Sequence, residues 1–157
     1  MGTQGFNLPP LLDAAGKRVE PSALAGKRVA YYFSAGWCPM CTNFEPALLQ
    51  YCAAAESAGN PVSIIYVSSD RSAKDAAARC DTFGFLQVPW EGDTRSALKK
   101  GYKVWAGAES REFGTGRRSG VPALVVLDEQ GKELAFCDAE RSGPGALSKW
   151  PLEAGVW

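Results

Sequence analysis

The chain has 157 residues, enough for one domain with a substantial core. Its 17 basic and 17 acidic residues cancel, which removes any general attraction to nucleic acid or an anionic membrane. Five cysteines and no histidine put the chemistry of interest on sulfur. Residues 1–10 hold no basic region followed by an apolar run, so no secretory signal is expected. No apolar stretch approaches the roughly 20 residues that span a bilayer. The expected location is cytoplasmic, where cysteines are usually reduced, catalytic or metal-bound.

Leu11-Leu12-Asp13 and Arg18-Val19 flank a turn at 14–17, which predicts a short hairpin. Residues 21–24 read as one helical turn ended by Gly26-Lys27. Residues 29–34, apolar and aromatic-rich, read as a buried strand. Trp37-Cys38-Pro39-Met40-Cys41 follows, and a helix is expected from Thr42 to about Ser57.

A Cys-x-x-Cys at a strand-to-helix junction has a physical use. The intervening pair forms the first helical turn, so the two sulfurs can close a small ring. The first thiol meets the unpaired N–H groups of the helix N-terminus, where an anion is favoured. The thiolate is the nucleophile in disulfide exchange. Cys38 is therefore assigned as nucleophile and Cys41, deeper in the helix, as resolving thiol. A structural zinc site needs four ligands, and Cys52, Cys80 and Cys137 form no second Cys-x-x-Cys. A static bridge over so tight a loop stabilises little. No metal is expected.

On the helix, Phe44, Leu48, Tyr51, Cys52 and Ala55 share the face that packs on the sheet, and Pro46 should kink it. Residues 62–67 are β-branched and read as the central parallel strand. A helix over 72–83 starts at a capping-box-like Ser72-x-x-Asp75 and carries Cys80 as a structural thiol. Residues 85–90 form a short apolar segment, and Asp93 or Thr94 caps a helix ending near Tyr102. Residues 123–128 and 133–137 read as a hairpin around a turn at 129–132. A loop over 138–145 and a final helix over 145–150 complete the chain.

The segment Tyr31-Tyr32-Phe33-Ser34-Ala35-Gly36-Trp37-Cys38-Pro39-Met40-Cys41 resembles the active-site stretch of the thioredoxin superfamily. Within it, the chain is most similar to the tryparedoxins and related nucleoredoxins. Tyr32 stands where ordinary thioredoxins carry a buried aspartate, and Pro46 matches the superfamily's helix proline. Gly120-Val121-Pro122-Ala123-Leu124 resembles the family's Gly-Ile-Pro-Thr-Leu, whose proline is cis and lies against the active-site disulfide. Met40 departs from the usual Trp-Cys-Pro-Pro-Cys, and Ser68-Ser69-Asp70-Arg71 departs from the tryparedoxin Ser-Trp-Asp-Glu.

The resemblance implies a thioredoxin-like α/β fold over 1–157: a mixed sheet of about five strands between helices, with an N-terminal hairpin. It leaves an insertion at about 105–118 beside the active-site rim. The implied activity is thiol–disulfide exchange through a Cys38/Cys41 dithiol–disulfide cycle, without a bound cofactor. Trypanothione is the implied donor, and a peroxiredoxin-type peroxidase or another disulfide protein the acceptor. The alternatives are a nucleoredoxin-like reductase with another donor and a redox-dependent binding module without turnover. Trp37, Pro39, Met40, Val121 and Pro122 are expected to contact substrate. Arg117 and Arg118 are expected to bind an anionic thiol or acidic patch, or else to lie on a solvated loop; Arg141 falls near a substrate-binding arginine of tryparedoxins. A monomer is expected.

Overall fold

The computed structural model describes residues 8–24, 27–128, 130–148 and 150–152. Gly26, Glu129 and Lys149, which fall in expected turns and the final helix, lie outside them, as do residues 1–7 and 153–157. The strands are β1 (Leu11–Leu12), β2 (Arg18–Val19), β3 (Arg28–Ser34), β4 (Val62–Ser68), β5 (Leu86–Gln87), β6 (Ala123–Leu127) and β7 (Glu133–Cys137). The helices are α1 (Pro39–Ser57), α2 (Ala73–Phe83), α3 (Thr94–Tyr102), α4 (Ser110–Phe113) and α5 (Ala139–Ser142). A 3₁₀ turn at Pro21–Leu24 follows β2, as the sequence suggests.

The sheet runs β2-β1-β5-β4-β3-β6-β7. It is mixed: β3 pairs in parallel with β4 and antiparallel with β6. The described residues form seven strands rather than about five. The additional strands are two residues long, too short to show a period of two, and they join because Leu12 pairs with Gln87. Side chains alternate across the sheet. Val29, Tyr31 and Phe33 face one core with Ile65, Val67, Val125 and Tyr102 of α3. Ala30 and Tyr32 face the other, against Phe44 and Leu48 of α1, Ala76 and Cys80 of α2, and Tyr66 and Phe85.

α1 begins at Pro39, three residues before the expected start, because the Cys-x-x-Cys is its first turn and Cys38 its N-cap. Proline suits that first position, where its missing N–H goes unused. Pro46 lies inside the helix. Ser72 caps α2, its hydroxyl oxygen accepting the Asp75 N–H at 3.1 Å. Asp93 precedes α3 without a side-chain cap bond.

Two expectations fail. The loop over 138–145 contains α5, initiated by Asp138, whose carboxylate accepts the Arg141 N–H. The expected 145–150 helix is instead a 3₁₀ turn, Gly143–Leu147, because Gly143, Pro144 and Gly145 disfavour a longer α-helix.

Cys80 and Cys137 are buried, and burial pushes both thiols up to about 12. The unfolded chain ionises these thiols from about pH 8.5 upward, whereas the folded chain keeps them protonated. Their contribution is therefore full below the ordinary thiol range and is lost as pH rises towards about 12. Urea unfolding at pH 8 and pH 10 should show falling stability, and Cys80→Ala should flatten that fall. An equal fall in wild type and variant would show that Cys80 carries none of it.

Candidate active site

Register builds the site. Ser34 pairs with Ser68 across β3 and β4, and Phe33 pairs with Ala123 across β3 and β6. The loops leaving β3 and β4 and the loop entering β6 therefore meet at one end of the sheet. The first carries Trp37 and Cys38, the second Ser69 to Arg71, the third Val121 and Pro122.

Cys38 Sγ accepts the Cys41 backbone N–H at 3.2 Å. This is the capping geometry of a helix N-terminus, with sulfur in place of a hydroxyl oxygen. The Val121 carbonyl lies 3.9 Å from the same sulfur, across a cis Val121–Pro122 peptide bond. Both cysteines are thiols. Cys38 is 6% exposed and Cys41 fully buried. Burial, then hydrogen bonding with Cys38, raises the Cys41 thiol well above its ordinary range. Around this dry centre Trp37 and Met40 are exposed, the latter by 49%, and Pro39 is exposed too. Trp37 holds its position by donating Nε1–H to the Ser69 carbonyl at 2.8 Å, and the exposed Arg71 stacks over its ring at 5.3 Å. Arg71 has no ion-pair partner among the described residues.

Beneath the cysteines lies a polar network that sequence reasoning missed. Glu45, 3% exposed, accepts from the Tyr32 hydroxyl at 2.8 Å and the Ser34 hydroxyl at 3.2 Å. It also receives both terminal nitrogens of Arg79, from α2. Arg79 Nε donates to Tyr66 Oη at 3.1 Å, and that hydroxyl donates to Asp70 Oδ2 at 2.6 Å. Asp70 Oδ1 in turn accepts the Gly36 N–H at 2.7 Å. The chain of bonds runs from α1, behind Cys41, to the loop ahead of Trp37. At helical spacing Glu45 lies one position past Phe44, beside the buried face, and that was the available signal.

Other contacts hold the third loop. Glu140 of α5 accepts the Gly120 N–H with its carboxylate at 3.1 Å and donates its own N–H to the Pro122 carbonyl at 2.9 Å. The 105–118 segment is ordered by α4, a 3₁₀ turn at Gly107–Glu109 and the buried Trp105. Glu109 accepts from Lys99 Nζ at 2.5 Å, from the Ser69 hydroxyl at 2.7 Å and from the Ala106 N–H at 2.9 Å. It thereby ties the insertion to the residue that holds Trp37.

Arg117 and Arg118 are engaged within the fold. Arg117 donates to the Trp105 carbonyl at 2.9 Å and pairs with Glu140 at 3.9 Å. Arg118 makes a two-pronged pair with Glu133, both contacts at 2.9 Å, and stacks 3.7 Å over Phe136. Arg141 is 86% exposed beside Asp138. The structure brings Trp37, Cys38, Pro39, Met40, Cys41, Val121 and Pro122 together and leaves Arg118 and Arg141 in contacts of their own.

Gly36 is required by close approach. A Cβ there would sit 2.9 Å from Arg79 Cδ, which the network holds in place. Gly36→Ala should cost about 1–3 kcal/mol, as overpacking does. Urea unfolding measures this, and an unchanged midpoint would mean that Arg79 yields freely.

Residues 26–133 match the thioredoxin-like family model. Nucleoredoxin from Bos taurus is 34% identical over 126 residues, which cover 80% of this chain and 26% of that protein. The chain thus spans about a quarter of the length of the curated relatives it matches. Tryparedoxin II from C. fasciculata superposes with a TM-score of 0.71 at 24% identity, covering 97% of this chain and 90% of that one. A tryparedoxin II solved in complex with glutathionylspermidine gives 0.70 at 23% identity, covering 97% and 94%. These two structures share its fold. By the match over residues 26–133, the chain belongs to the thioredoxin-like family.

Proposed function

We propose that this chain is a thiol–disulfide oxidoreductase that passes electrons from a low-molecular-weight thiol to protein disulfides. The observation that carries this reading is the contrast between the two sulfurs: Cys38 at the helix N-cap under an exposed rim, Cys41 buried behind it. The Cys38 thiolate attacks a substrate disulfide, forming a mixed disulfide and releasing one substrate sulfur as thiolate. Cys41 then attacks Cys38, so the Cys38–Cys41 bond forms and the second substrate sulfur leaves. Trp37, Pro39 and Met40 form the apolar rim on which the substrate rests. The Val121 backbone, beside Cys38 Sγ, offers an extended substrate segment hydrogen-bonding groups. The redox group is the cysteine pair itself.

The tryparedoxin likeness supports trypanothione as donor and a peroxiredoxin-type peroxidase as acceptor. Arg71 favours a second reading. Its unpaired cation lies on Trp37, where it repels a polyamine-linked thiol and attracts an anionic one. That supports a nucleoredoxin-like role with glutathione or a thioredoxin reductase as donor. Reduction rates of the oxidised protein by trypanothione, glutathione and a thioredoxin–thioredoxin reductase pair separate the two. Reduction fastest with trypanothione would remove the second reading.

Cys38→Ser should abolish insulin-disulfide reduction, and Cys41→Ser should accumulate mixed disulfides visible on non-reducing gels. Full turnover in Cys38→Ser would overturn the assignment of the nucleophile. Partner capture without turnover by the wild type would support the redox-dependent binding module instead.

A further inference from the structure

The resolving thiol poses a problem that the exchange reading leaves open. Cys41 is fully buried, yet it must become a thiolate to attack Cys38. The chain contains no histidine to assist it. The groups facing Cys41 are Cys38 from its own helix, Tyr32 and Ser34 from β3, the Ala35 backbone, and the Glu45–Arg79 pair beneath. Tyr66 and Asp70 extend that network further away. Among these, Ser34 bonds to both members of the Glu45–Arg79 pair. Its hydroxyl donates to Glu45 Oε2 at 3.2 Å and its oxygen accepts from Arg79 Nη2 at 3.1 Å. Glu45 follows Cys41 by one turn on the same face of α1, so Ser34 lies beneath the Cys41 side chain, and hydrogen bonding from Ser34 favours the Cys41 thiolate.

A serine hydroxyl has one proton to give and a torsion that turns freely between acceptors. Glu45 does not depend on it, because Tyr32 and both terminal nitrogens of Arg79 also donate to that carboxylate. Arg79 occupies the hydroxyl oxygen and polarises its O–H, which strengthens the donor. Glu45 itself is matched by the arginine, so it holds Arg79 in place rather than adding an uncompensated charge under the sulfur.

We propose that Ser34 is the positioning residue of the resolving step, its hydroxyl turning from Glu45 to Cys41 Sγ as that sulfur becomes a thiolate. This rests on the exchange function proposed above. In the mixed disulfide, Cys41 loses its proton and its sulfur attacks Cys38 Sγ. The Cys38–Cys41 bond forms and the bond from Cys38 to the substrate sulfur breaks. That sulfur leaves with the electron pair and takes up one proton, so protons balance without an added base. Cys41 and Cys38 are oxidised and the substrate disulfide is reduced.

The test uses the reduced protein and 5,5′-dithiobis(2-nitrobenzoate). Its first release of thionitrobenzoate reports attack by Cys38 and its second reports resolution by Cys41. In Ser34→Ala the first release should stay within about twofold of wild type, since Ser34 does not touch Cys38. The second should slow about tenfold at pH 7 and its pH midpoint should rise by about one unit, the scale of one hydrogen bond to a charged sulfur. Ser34→Thr, which keeps the hydroxyl, should hold the wild-type midpoint, and it carries the test if the alanine variant does not fold. A second release with unchanged rate and midpoint in Ser34→Ala, or a raised midpoint in Ser34→Thr, overturns the proposal and leaves the exchange function standing. A wild-type first release that survives Cys38→Ser overturns both.

Discussion

The ion pair between Arg79 of α2 and Glu45 of α1 is the constraint on which this end of the molecule depends. Both groups are largely buried, so neither can be removed alone without leaving an uncompensated charge, a cost of about 3–5 kcal/mol. The pair joins two helices across one face of the sheet and reaches β3, β4 and the loop before Trp37 through Tyr32, Ser34, Tyr66 and Asp70. An apolar core sets the spacing of these elements. The hydrogen bonds add direction, because the buried carboxylates of Glu45 and Asp70 are satisfied by donors from β3, β4, α2 and the loop before Trp37.

A second set of contacts frames the exposed rim from the other side. Glu109 links the buried Lys99 to Ser69, and Ser69 holds the Trp37 indole. Glu140 grips the loop on both sides of Val121. The three loops around Cys38 are thus supported from α2, from the 105–118 segment and from α5. That segment anchors the rim through Glu109 while much of its own length faces solvent.

Much of the fold was legible because β3, β4 and β6 are continuous apolar runs, which is how strands buried on both faces read. The Cys-x-x-Cys and the Val-Pro could be found as local patterns. What was not legible depends on distance along the chain. Glu45 looked like any charged residue on a helix, since its partner lies 34 positions away. Asp70 sat in a loop whose departures at Ser69 and Arg71 drew notice, while its bond to Gly36, 34 positions away, left no local trace. The arginines of the insertion suggested anion binding by charge alone, and their acidic partners, Glu133 and Glu140, follow them by 15 and more positions. The hairpin of β1 and β2 was legible from its turn, whereas the two-residue β5 and the pairing of Leu12 with Gln87 that joins the hairpin to the sheet were not.

The position of Arg118 has a further consequence. β7 is the last strand at one end of the sheet, and its outer hydrogen-bonding edge is a template on which a second chain could add a strand. Arg118 lies on that strand, stacked on Phe136 and bonded to Glu133, while the opposite end stops at a two-residue strand carrying Arg18. Among the described residues the sheet therefore presents one end too short to extend and one end overlaid by the Arg118–Glu133 pair, and both features oppose edge-to-edge polymerisation.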